Sequence, residues 1–145
     1  MENPQFLRAV NLIQANQFAD AAPLLLDLHE QFPQEPRVNY CLGLVHNHFG
    51  ELRLAMQCLT DAASVAKKQP DVFTTLAEVQ NNLGNHQAAL EAGRRAVSLN
   101  RQSEYAHINL GDAYYYLRKP VMARKSYGQA AEVAPQSGAA HLCLC

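Results

Sequence analysis

The sequence predicts an all-α solenoid: four helix–turn–helix repeats and the start of a fifth. Three observations predict it. Ala and Leu supply 41 of the 145 residues, whereas Val, Ile and Thr supply 14, a balance that favours helices over sandwiches and barrels. Small residues recur at intervals of 34. Gly, Asn and Pro fall between the recurring segments, where helices end and begin.

Blocks of 34 begin at Glu2, Pro36, Pro70 and Glu104. They give repeats 2–35, 36–69, 70–103 and 104–137 within one domain, 1–145, with a partial fifth at 138–145. The eighth position reads Ala9, Gly43, Ala77 and Gly111. The twentieth reads Ala21, Ala55, Ala89 and Ala123, and the twenty-seventh Leu28, Ala62, Ala96 and Ala130. Small residues at these columns let two helix backbones approach closely. Larger ones, such as Leu42, Leu76 and Leu110 at the seventh position, fill the layers between.

Within each block the first helix spans about three and a half turns, as in Arg37–Phe49 and Tyr105–Leu117. Asn16, Gly50 and Gly84 then stand where a helix end takes a left-handed residue cheaply. The second helix follows, as in Glu51–Ala66 and Asn85–Leu99. Pro33, Pro36, Pro70 and Pro135 mark the joins. Three departures carry their own expectations. Arg118-Lys119-Pro120 lacks a Gly and predicts a differently shaped fourth turn. Pro23 predicts a late start or a kink in the second helix. Gly93, at a column that otherwise holds a large residue, predicts a thin spot in the packing. Gly138–Cys145 reads as two turns of a fifth block that is marginal without a partner helix.

Composition narrows the function. Apolar residues make up 48% and charged residues 17%, a globular balance. No apolar run approaches the roughly 20 residues of a membrane span, and the first residues lack a secretory pattern. A cytoplasmic protein is expected, with no membrane association. The net charge of −1 argues against a general nucleic-acid binder. Charge is uneven, with three basic residues against seven acids in 1–66 and nine against six in 67–145. Cys41, Cys58, Cys143 and Cys145 show no CxxC pair, so neither a zinc site nor a disulfide framework is expected. Cys41 and Cys58 fall on apolar faces and read as small buried hydrophobes. His46 and His48 are two apart, so a helix points them to different sides. No phosphate loop, nucleophile elbow or HExxH motif occurs. The chain is therefore expected to be no enzyme and to need no cofactor or metal.

The blocks resemble the tetratricopeptide repeat, with its W-x₂-L-G-x₂-Y … A … F … A … P pattern. The fourth block matches as His107-x₂-Leu110-Gly111-x₂-Tyr114, then Ala123, Tyr127, Ala130 and Pro135. The second matches as Asn39-x₂-Leu42-Gly43-x₂-His46, then Ala55, Leu59 and Ala62. The third matches through Phe73, Leu76, Ala77, Ala89 and Ala96, and the first through Ala9, Phe18, Ala21, Leu25 and Pro33. The resemblance implies a right-handed superhelix whose first helices line a partner-binding groove. Groove positions fall on Asn3, Phe6, Val10, Ile13 and Gln14 in the first block and on Arg37, Tyr40, Leu44, Asn47 and His48 in the second. They fall on Asp71, Thr74, Glu78, Asn81 and Asn82 in the third, and on Tyr105, Ile108, Asp112, Tyr115 and Tyr116 in the fourth. The polar and aromatic members are the candidate binding residues: Tyr40, Asn47, His48, Glu78, Asn81, Asn82, Tyr105, Asp112, Tyr115 and Tyr116. Asn offers a paired donor and acceptor to a peptide backbone, and Tyr a flat face with a polar tip.

The resemblance thus implies a protein-interaction module, an adaptor or scaffold holding a segment of a partner protein. Two alternatives belong to other classes. One is the recognition arm of a longer glycosyl- or sulfotransferase, with catalysis beyond Cys145. The other is a scaffold that self-associates end to end through Leu142 and Leu144. Chaperone-binding members of the family clamp a terminal carboxylate with Lys, Arg and Asn. The matching positions here hold Phe6, Val10, Cys41, Asp71 and Thr75, so no binding to acidic chaperone tails is expected.

Overall fold

The computed structural model describes residues 3–133. The expected fifth block at Gly138–Cys145, together with Pro135, Leu142 and Leu144, lies outside the described residues. The chain divides into two compact units, Met1–Lys67 and Lys68–Cys145. Among the described residues each unit contains four α-helices and no strand.

Unit 1 holds α1 (Pro4–Gln14), α2 (Phe18–Gln31), α3 (Pro36–His48) and α4 (Leu52–Val65). Helix α3 packs on α1 and α2, and α4 packs on α3. The core gathers Ala9, Ala21, Leu25, Leu28, Val38, Leu42 and Val45. Each fully buried Leu contributes roughly 1.5–3 kcal/mol. Asn3 caps α1 by accepting from the Gln5 and Phe6 amides, and Pro4 fills the first helical position, whose N–H is an orphan in any helix.

Unit 2 holds α5 (Pro70–Asn82), α6 (His86–Leu99), α7 (Glu104–Tyr116) and α8 (Pro120–Val133). Helix α7 packs on α5, α6 and α8. Ser103 caps α7 by accepting from the Ala106 amide. The core centres on Ala89, Leu90, Leu110, Ala113, Tyr114 and Tyr127.

The turns inside the hairpins share one geometry. Asn16, Gly50, Gly84 and Arg118 have φ of 60°, 76°, 84° and 62°. In each turn that residue's N–H reaches back three residues, and the next N–H reaches back five. Gly50 to Asn47 O and Glu51 to His46 O form one such pair, and Arg118 to Tyr115 O and Lys119 to Tyr114 O another. This is the Schellman closure, which satisfies the last carbonyls of a helix.

Two expectations are corrected, and so is one of the two alternatives at Pro23, the late start. The fourth turn has the same shape as the others. Backbone hydrogen bonds set that shape, and Arg118 adopts the left-handed conformation despite its side chain. Gly93 marks a close approach. A Cβ there would lie 3.2 Å from the Leu110 Cα, so α6 and α7 meet nearly backbone to backbone. Pro23 does not delay α2, which starts at Phe18, and it sits exposed inside the helix, where it removes one backbone donor.

Candidate functional site

Unit 1 presents an apolar cleft built by α1 and α3. Helical spacing puts Phe6, Val10 and Ile13 on one side of α1, and Tyr40, Cys41 and Leu44 on the facing side of α3. Gln14 and Arg37 complete the lining. The volume is about 280 Å³. That is just below the ~300–1,000 Å³ of small-molecule sites and suits one bulky side chain rather than a whole metabolite. The Arg37 guanidinium lies 5.3 Å from the Phe6 ring centroid and pairs with Glu35 at 3.1 Å. It is therefore held at the cleft by a ring face and a carboxylate.

Cys41, the thiol in the cleft, is held in its protonated form. Burial pushes the Cys41 thiol up to about 11, against the lowering pull of Arg37. A protonated thiol at neutral pH is neither nucleophile nor metal ligand. Burial also raises Cys58, with Asp61 adding to the effect.

The ten sequence-predicted residues scatter among several environments. In unit 1, Tyr40 is half-buried in the cleft and Asn47 is half-buried near the end of α3. His48 is exposed and stacks on Phe18, with ring centroids 4.1 Å apart, and meets Phe49 edge-on. His46 turns instead to Glu51, at 3.2 Å.

In unit 2, Tyr115 and Tyr116 are 62% and 58% exposed and meet edge to face. Tyr116 stacks on His86 at 4.5 Å. Exposed Asn82 and half-buried Glu78 share α5 with Asn81. Asn81 is already committed within the unit. Its amide donates to the Asn109 carbonyl at 3.0 Å, and its Oδ1 faces the His86 Nδ1 at 3.1 Å. Asn109 donates in return to the Thr74 carbonyl, so the two asparagines clasp α5 to α7. Asp112 is half-buried and accepts from the Tyr127 hydroxyl. Burial raises its carboxyl above the ordinary range, against that hydrogen bond. Tyr105 is 69% exposed but stands roughly 16 Å from Tyr116 along α7.

Sequence reasoning on polar side chains passed over the apolar members of the cleft. Their signal was present: Phe6, Val10, Ile13 and Leu44 all occupy groove columns. Cys41 lies one column away and enters only through the packing of α1 on α3.

Tetratricopeptide repeat models match residues 6–71, 70–103 and 105–137. The chain belongs to the tetratricopeptide repeat family. Solved structures agree on the fold. MamA superposes with a TM-score of 0.84 at 18% identity, over 94% of this chain and 80% of that one. A chain of the APC/C hetero-tetramer Cut9–Hcn1 gives 0.89 at 18% identity, over 97% of this chain and 28% of that one. The first repeat domain of Spaghetti (RPAP3), bound to the HSP90 peptide SRMEEVD, gives 0.73 at 26% identity, over 77% of this chain and 88% of that one. Among the described residues no helix is long and apolar enough to cross a membrane.

Proposed function

We propose that this chain is a protein-interaction module, an adaptor or scaffold, and that the α1–α3 cleft of unit 1 anchors a bulky apolar side chain of a partner segment. The cleft carries the reading. It is preformed, it lies on the first-helix faces that the family uses for partners, and its lining is mostly apolar. Phe6, Val10 and Cys41 stand at the carboxylate-clamp positions and here line that cleft, so the chemistry on offer is apolar. The exposed Tyr115–Tyr116 pair of unit 2 offers a separate contact surface. The four-repeat, single-domain organisation is part of the same reading. A non-catalytic role is part of it too, since tetratricopeptide repeats are typically interaction modules.

Leu44 lines the cleft but stands outside the buried core cluster, which makes it a clean probe. Peptides selected from a displayed library on the intact chain should share a bulky apolar residue. Leu44→Glu should abolish their binding while keeping the fold by circular dichroism. The acidic peptide SRMEEVD should not compete. Equal binding to a folded Leu44→Glu variant would sink the proposal.

A further inference from the structure

Unit 2 contains a second and larger concavity, made where α6, the turn after it, α7 and α8 meet. Its volume is about 480 Å³, inside the ~300–1,000 Å³ range of small-ligand sites. Val97, Leu110 and Val133 give it an apolar floor. Arg94 and Arg101 bring two cations to its lining. Among the described residues neither guanidinium has a carboxylate partner.

Arg94 is held through its side chain and Arg101 through its backbone. The Arg94 Nε and Nη2 donate to the Tyr114 hydroxyl at 3.3 and 3.1 Å, and the guanidinium lies 5.8 Å from that ring's centroid. Its other N–H groups are left for a ligand, and fixing it beforehand lowers the entropy lost on binding. Arg101 belongs to the turn that buried His107 holds. The His107 Nε2 donates to the Arg101 carbonyl at 2.9 Å. His107 stands at the fourth repeat position, where the family pattern has Trp, and its smaller ring lines the cavity.

We infer that this cavity binds an organic anion, a phosphate ester or carboxylate with an apolar body. The apolar part rests on Val97, Leu110 and Val133, and Arg94 and Arg101 hold the charged group. Glu132 also lines the cavity, so it repels the anion and limits affinity.

The test is a backbone-amide NMR titration of the intact chain with phenyl phosphate, and separately with inorganic phosphate at matched ionic strength. Phenyl phosphate should give saturable shifts around Arg94, Arg101 and His107, with affinity about tenfold above that of inorganic phosphate. Arg101→Ala should weaken binding by at least about tenfold. Glu132→Gln should strengthen it. His107→Trp keeps a donor for the Arg101 carbonyl, fills the space and should abolish binding. If that variant does not fold, Arg101→Ala decides. Equal affinities for the two anions would overturn the organic-anion assignment. Unsaturable shifts, or wild-type affinity in Arg101→Ala, would overturn the site.

Discussion

Gly43 on α3 lies so close to Leu59 on α4 that a Cβ at residue 43 would come within 2.6 Å of the leucine Cγ. Leu59 is fully buried, so it can give way only by repacking the core around it. At the same repeat positions in unit 2, a Cβ at residue 111 would likewise come within 2.6 Å of the Tyr127 ring. At these two positions the glycine leaves room for the large side chain that faces it. Gly43→Ala gains helix propensity but overpacks the α3–α4 interface. A net loss of about 1–2 kcal/mol is expected in urea unfolding. No loss would mean that the hairpin is looser than this contact implies.

Arg118 holds a left-handed conformation at a position where Gly50 and Gly84 hold it without strain. Arg118→Gly should raise stability by roughly 0.5–1 kcal/mol, the strain relieved less the entropy of a freer unfolded chain. Thermal unfolding checks this, and a lower midpoint would show that the arginine side chain contributes something that its backbone does not reveal.

Asn81 and Tyr115 were both expected to face a partner, yet they should respond differently. Asn81→Ala removes the bond to the Asn109 carbonyl and the partner of His86. A loss of about 1–2 kcal/mol follows. Tyr115→Ala removes an exposed ring and should stay within about 0.5 kcal/mol of wild type. Equal midpoints for the two variants would contradict the clasp.

Asp112 carries a pH signature. Burial raises its carboxyl above the ordinary value of 3.8, and this outweighs the lowering by the Tyr127 hydroxyl. The folded state therefore holds the proton more tightly than the unfolded state, and the charged form costs stability. That cost is present at neutral pH and disappears as pH falls through the folded value to below 3.8. Asp112→Asn keeps an acceptor for Tyr127 and should melt higher than wild type at pH 7. The gap should close in acid. A gap that is absent at pH 7 or widens in acid would contradict the assignment.

Much of the fold was legible in the sequence because its punctuation is local. Pro36 and Pro70 open helices, and Gly50 and Gly84 close them, through backbone geometry that each residue carries with it. The misreadings share a cause. The fourth turn was expected to differ because it lacks Gly, but hydrogen bonds made by its neighbours set the turn. Gly93 looked like a thin spot because its neighbour, Leu110, lies in the next block and comes close only after folding. The Asn81–Asn109 clasp joins residues 28 apart, and no local pattern encodes it. The unit 2 cavity draws on three helices, so nothing in the repeat columns announces it. The cleft was half legible: its columns were identified, but the polar residues among them drew the attention.

The most direct test of the central claim uses methyl labels at Val10, Ile13 and Leu44. A peptide selected on the intact chain is titrated while those three methyls are followed by NMR. The account predicts saturable shifts at all three and contacts between them and one apolar side chain of the peptide. Tight binding with all three methyls unmoved would place the partner elsewhere and contradict it.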